Sequence, residues 1–176
     1  MACRFADTQV VNSTIVPTTL VLGIGNLLLT DEGVGIHVVN YLVHHYPTLP
    51  GVSYLDGGTL SFLLAARIAD AERLIVVDAA ELGALPATVR TFSDVEMDRF
   101  LRGTRRSAHE VGLVDVLNMA RLAGRFPSRR ALVCIQPAAL GWGDRPSPMV
   151  AAAVPSAARE VIRLLEMWTV TAEKSH

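Results

Sequence analysis

The sequence predicts an α/β fold, a three-layer sandwich in which a twisted, mostly parallel sheet of about five strands lies between helices on both faces. Three observations carry that prediction. Short apolar runs alternate along the chain with segments of helical period, the pattern of strand–helix–strand crossovers. The first of these runs is apolar throughout, as expected for a strand covered on both faces. No internal repeat and no linker breaks the alternation, and 176 residues suit one domain with its own core.

Leu20–Ile24 (LVLGI) is the first strand, with Gly23 near its end. Glu32–Tyr46 is the first helix: Val34, Val38, Val39, Leu42 and Val43 recur at helical spacing and Pro47 follows its end. Val52–Leu55 reads as a second strand and Leu60–Ile68 as a second helix. Leu74–Val77 (LIVV), β-branched and bounded by charge, is the third strand. Ala87–Phe92 alternates Thr and Arg with apolar residues, as on a sheet edge. Val95–Leu101 reads as a short helix, and His109–Leu122 as an amphipathic one with Val111, Val114, Leu117, Met119 and Leu122 facing inward. Leu132–Ile135 is the last strand. Residues 138–148 (AALGWGDRPSP) form a Gly/Pro-rich loop ahead of a helix over Met149–Trp168, which Pro155 should kink or divide. The expected organisation is an N-terminal extension over 1–18, the domain over 19–170 and a disordered tail over 171–176.

Composition excludes several classes of function. Sixteen basic against seventeen acidic residues give a formal charge of −1, so there is no net attraction toward nucleic acid or anionic membrane. The apolar runs are too short and interrupted to span a bilayer, and Met1–Thr19 carries Arg4 and Asp7 rather than a signal-peptide apolar core. Two cysteines, Cys3 and Cys134, make no disulfide framework, and the expected compartment is the cytoplasm.

In sheets of this kind ligands bind beyond the carboxyl ends of the strands. There the chain places Gly23–Asn26 and then Asp31-Glu32 after the first strand, Asp56–Thr59 after the second, and Asp78 after the third. His109 opens a helix behind Ser107, a candidate N-cap. A dinucleotide fingerprint fails in the first loop, because Leu28 stands where the third Gly belongs and Asp31 and Glu32 would repel a pyrophosphate. Acidic residues also suit the first turn of a helix through its dipole, and Asp78 or His109 alone could be a capping group. Taken together, Glu32, Asp78 and His109 make an oxygen and nitrogen set suited to a borderline divalent metal with open positions. Their separation in sequence leaves convergence unproven.

The stretch Gly23–Gly35 (GIGNLLLTDEGVG) closely resembles the opening motif of the hydrogenase maturation endopeptidases. Asp56–Thr59 (DGGT), Val76–Ala79 (VVDA), Ser107–Glu110 (SAHE) and Gln136-Pro137 follow in that family's order, so the resemblance covers about residues 20–165. It implies a twisted, mostly parallel sheet between helices. It also implies an enzyme that clips a C-terminal extension from a nickel–iron hydrogenase large-subunit precursor once nickel is installed. The positions matching Glu32, Asp78 and His109 would recognise the substrate's nickel, and in the free enzyme would hold another divalent metal. Asp31 or Asp56 could serve as the general base of an aspartyl-type hydrolysis, or the metal itself could polarise the carbonyl or activate water. Gly25, Asn26, Gly57, Gly58 and Thr59 are candidate substrate-binding positions. A second reading, from another class, is a nickel-binding accessory protein for hydrogenase assembly that does not cut. No Gly-x-Ser-x-Gly elbow supports a small-molecule hydrolase.

The chain departs from the family pattern at Ala87, where a Gly after the Pro is common, and at Glu81, an extra acidic residue near the proposed site. Arg99, Arg102, Arg105 and Arg106 read as a solvated face balanced by Asp94, Glu96 and Asp98, with a docking surface for the substrate protein as the alternative, and His37, His44 and His45 as surface or groove residues of the first helix. Cys134 reads as core rather than nucleophile. Trp142, between two glycines in a loop, is a candidate partner contact.

Overall fold

The computed structural model describes residues 18–59, 63–103 and 110–173. The expected extension before residue 18, the helix start at Leu60, and Arg105, Arg106, Ser107 and His109 lie outside them.

Five strands form one sheet in the order β2-β1-β3-β5-β4: β1 (Thr19–Gly23), β2 (Val52–Asp56), β3 (Arg73–Ala79), β4 (Val89–Ser93) and β5 (Arg129–Ile135). All pairs are parallel except β4 with β5, so the Thr- and Arg-bearing strand is the antiparallel edge strand. Helices α1 (Val34–His45) and α5 (Pro148–Glu173) cover one face, and α2 (Leu64–Ala69), α3 (Val95–Leu101) and α4 (Glu110–Leu122) the other. The central strands are apolar on both faces because both are packed. Val21, Ile75, Val77 and Val133 meet α1 and α5, while Leu20, Leu22, Leu74, Val76 and Leu132 meet the other three helices. Trp168, 2% exposed, fills the α5 side of the core.

Several boundaries differ from expectation for physical reasons. Asp31 and Glu32 belong to a separate short 3₁₀ turn, Thr30–Gly33, and α1 begins only at Val34. Asp78 lies inside β3 rather than after it. On α4 the inward stripe is Leu113, Val116, Leu117 and Ala120; Met119 and Leu122 are exposed. Pro155 does not start a second segment, and α5 runs on through it to Glu173, past the expected domain end at 170. The carbonyl that a proline leaves without its helical partner belongs to Ala151, which is exposed and can bond water. Among the described residues no helix is long and apolar enough to cross a membrane.

Ala87 has φ +68°, the left-handed region, and its N–H donates to the Gln136 carbonyl at 2.9 Å. Glycine would adopt that backbone state without strain, a physical reason for the glycine the resemblance leads one to expect here. A side chain there costs roughly 1–2 kcal/mol, partly offset by the entropy glycine loses on folding. Ala87→Gly should therefore stabilise the fold by about 1 kcal/mol, a rise of about 3 °C in Tm by calorimetry.

His37 on α1 is half-buried, and its Nε2 is buried with no hydrogen-bond partner among the described residues. Loss of hydration holds its pKa below the ordinary 6.5. The unfolded chain therefore takes up this proton first as pH falls. The stability held with neutral His37 is complete above about pH 6.5 and is lost as pH drops toward the lower folded value. Urea melts between pH 7 and 5 should show a shallower loss of stability in His37→Gln than in the native chain.

Candidate active site at the sheet switch point

From β1 the chain goes to β2 on one side and then returns to β3 on the other. The connections after β1 and β3 therefore diverge, and a crevice opens between their carboxyl ends. Two close approaches shape it. A Cβ on Gly35 would collide with the Val77 carbonyl oxygen, and one on Gly25, at φ +146°, with the Glu32 carbonyl oxygen. Only glycine lets the start of α1 settle onto the end of β3, which brings the turn carrying Glu32 beside the strand carrying Asp78.

Glu32 is half-buried, and its Oε2 is shielded from water with no hydrogen-bond partner among the described residues. Asp78 is 3% exposed, deeper than the surface crevice expected for it. Strand alternation turns Asp78 toward the face carrying α2, α3 and α4, opposite to Val77. Its register neighbour on β5, Cys134, is fully buried, as expected for a core thiol. Among the described residues no three His, Cys, Asp or Glu side chains are gathered as a metal site. The third member of the expected set, His109, lies outside those residues.

Asp31 has a different task from its neighbour. It is 0% exposed, and its two oxygens accept four hydrogen bonds: from the N–H groups of Ala138 and Ala139 at 2.9 Å, from the Ser147 N–H at 2.6 Å and from the Ser147 hydroxyl at 2.9 Å. Ser147 in turn accepts the Ala151 N–H at the start of α5, so the carboxylate lies at that helix's positive end. The loop is joined further by Thr30 N–H to Gly143 O (3.0 Å), Gly143 N–H to Leu28 O (3.0 Å) and the Thr30 hydroxyl to Ala139 O (2.8 Å). With both oxygens taken up by protein donors, Asp31 serves as a clamp between two loops.

The β2 side supplies the rest of the edge. Gly25 N–H donates to Gly58 O (2.8 Å) and Gly57 N–H to Gly23 O (2.8 Å), so the loops after β1 and β2 share one floor. Asn26 spends its side-chain oxygen on the Leu28 N–H, and Thr59 is exposed. Asp56 is exposed, with one oxygen accepting the Gly58 N–H at 2.8 Å. Gly23 is in register with Asp56 on one side and Val77 on the other. Asp56 is thus two interstrand spacings, about 10 Å, from the end of β3.

Sequence reasoning assigned no roles to two residues that organise this edge. Ser147, just before Pro148 at the first position of α5, carries a helix-start signal placed one residue too late. Gln136 is buried, and its side chain accepts the Leu82 N–H at 2.7 Å and donates to Glu81 at 3.0 Å. Its main chain pairs with Ala87 and Thr88. A polar residue directly behind the buried run of β5 was the available signal. Trp142 is 85% exposed.

Removing the Asp31 carboxylate strands four donors at a buried position. Asp31→Ala should cost about 3 kcal/mol or more, and Asp31→Asn nearly as much, because its amide presents donors to donors. Chemical denaturation of both variants measures this, and near-native stability in Asp31→Asn would refute the clamp.

Comparison with known proteins agrees with the geometry. Residues 36–164 match the family model for the hydrogenase maturation protease HycI. The chain is 36% identical over 155 residues to the hydrogenase expression/formation protein HupD of Rhizobium leguminosarum bv. viciae, covering 88% of this chain and 77% of that one. It is 35% identical over 147 residues to the hydrogenase 2 maturation protease of Escherichia coli (strain K12), covering 83% and 89%. The structure superposes on the hydrogenase maturating endopeptidase HybD from E. coli with a TM-score of 0.79 at 34% identity, over 85% of this chain and 93% of that one. On the [NiFe] hydrogenase maturation protease HybD from Thermococcus kodakarensis the TM-score is 0.71 at 28% identity, over 84% and 98%. With its sheet, its switch-point crevice and these likenesses in agreement, the chain belongs to the hydrogenase maturation protease family.

Proposed function

We propose that this peptidase removes the C-terminal extension of a nickel–iron hydrogenase large-subunit precursor after nickel insertion, with Glu32, Asp78 and His109 recognising the nickel carried by the substrate. The observation that carries the reading is the Glu32 Oε2, buried at the switch-point crevice without a partner among the described residues. An unsatisfied buried acceptor costs roughly 1–3 kcal/mol, a cost a protein keeps where the group has a ligand to meet. Two carboxylates and an imidazole suit a borderline divalent cation and leave positions for the substrate's own ligands.

The chemistry follows from this arrangement. The precursor docks through its metal, and its C-terminal segment is thereby held along the crevice, converting a weak encounter into an oriented one. Asp56, exposed on the neighbouring strand, is the carboxylate available to take a proton from the attacking water; Asp31 is committed to its clamp. A precursor without nickel offers no anchor, so its scissile bond is never positioned. The cytoplasm is the compartment in this reading, in keeping with only two cysteines in the chain.

Mass spectrometry of a large-subunit precursor, loaded or empty of nickel, tests the proposal. Release of a C-terminal peptide from the loaded form alone is the expected result. A stable complex without cleavage would favour the accessory-protein reading. Glu32→Ala should reduce processing by about a hundredfold or more while leaving Tm unchanged or higher, since it removes an unpartnered buried oxygen. Undiminished processing in Glu32→Ala would remove this residue from the site.

A further inference from the structure

Exposed apolar residues recur on every connection at the carboxyl edge of the parallel strands. Leu28 follows β1, Leu63 follows β2, Leu85 follows β3, and Leu140 and Trp142 follow β5. These are large side chains left in water, with Leu63 and Trp142 at 85% exposure. The loops carrying Leu28, Leu140 and Trp142 are fixed by the Leu29–Gly143 bridge, the Thr30 bonds and the Asp31 clamp, so little ordering cost remains on binding. Apolar side chains at one edge, on loops already held in place, mark a contact surface.

We infer that this rim, with Trp142 and Leu140 at its centre, docks an apolar surface of the folded large-subunit precursor itself, apart from the segment to be cut. The inference rests on the proposed function for the identity of the partner. Two features argue for this occupant. The rim is continuous with the candidate site, because Asp31, which pins the Trp142 loop, directly precedes Glu32. It also joins two connections, since the loop after β5 crosses to the loop after β1 and Gly143 bridges Leu29. A patch already rigid across two joined loops suits a preformed, folded surface more than a flexible segment that must first lose its conformational freedom.

The test pairs cleavage kinetics with binding. The double variant Leu140→Ser/Trp142→Ser and the native chain are titrated with nickel-loaded precursor, and peptide release is followed by mass spectrometry. Leu122→Ser, exposed on α4 at the opposite edge of the sheet, is the control. The expected result is a rise in KM and Kd of roughly tenfold or more in the double variant, with kcat kept and the control unchanged. In the native chain Trp142 emission should shift blue on binding; Trp168, already buried, is not expected to contribute. Unchanged KM and Kd, or a fall in kcat alone, would overturn the docking surface. If the native chain binds the precursor without cutting it and the double variant does not bind, the protease reading fails while the surface stands.

Discussion

The carboxylate of Asp31, wholly out of water, is the interaction on which the working edge depends. A buried anion is costly unless donors surround it, and buried N–H groups are costly unless acceptors meet them. Here each problem solves the other. Ala138 and Ala139, shortly after β5, and Ser147, at the turn into α5, all aim N–H groups at Asp31, which meets all of them. The helix of 26 residues behind Ser147 adds a favourable field at its N-terminus. One side chain thereby fixes the first loop against the last and holds Thr30 at φ +44°, where a β-branched residue is strained. Glu32 follows in the same turn, so its position inherits that rigidity.

A second constraint is steric. The carbonyls of Val77 and Glu32 lie where side chains at Gly35 and Gly25 would stand. The glycine pattern of the first motif is thus a packing requirement at the switch point. It serves the approach of two backbones instead of the cradling of a phosphate, consistent with Leu28 replacing a third glycine and with two acidic residues at the turn.

The fold was legible because its strands are buried on both faces, and runs such as Leu74–Val77 allow few other readings. Amphipathic detail was less legible. On α4, Leu113 and Val116 carry the buried stripe while Leu122 points to water, since a Val- and Leu-rich helix offers neighbouring stripes of similar hydrophobicity. Pro155 does not divide α5, because a proline's cost depends on whether water reaches the freed carbonyl, which sequence does not state. For the site, Glu32 and Asp78 fall beside the predicted crevice, but the task of Asp31 was invisible. An acidic residue in a first helical turn looks the same whether it serves its own helix or, as here, one that begins more than a hundred residues later. Ala87 shows the opposite case: the departure from glycine was visible in the sequence, and the left-handed backbone supplies its meaning.

The adjacent carboxylates Asp31 and Glu32 then divide two requirements that one group could not meet. A saturated carboxylate is rigid but has no lone pair to give; an unsatisfied one can bind but carries a standing cost. In the proposed reaction that division decides where specificity resides. Affinity from an apolar rim raises the binding of loaded and empty precursors alike, so it cannot discriminate between them. Only contacts present in one state and absent in the other can do so. Under that proposal the checkpoint falls to Glu32 and the ligands proposed with it, and the rim supplies the metal-independent binding that lets so few ligands suffice.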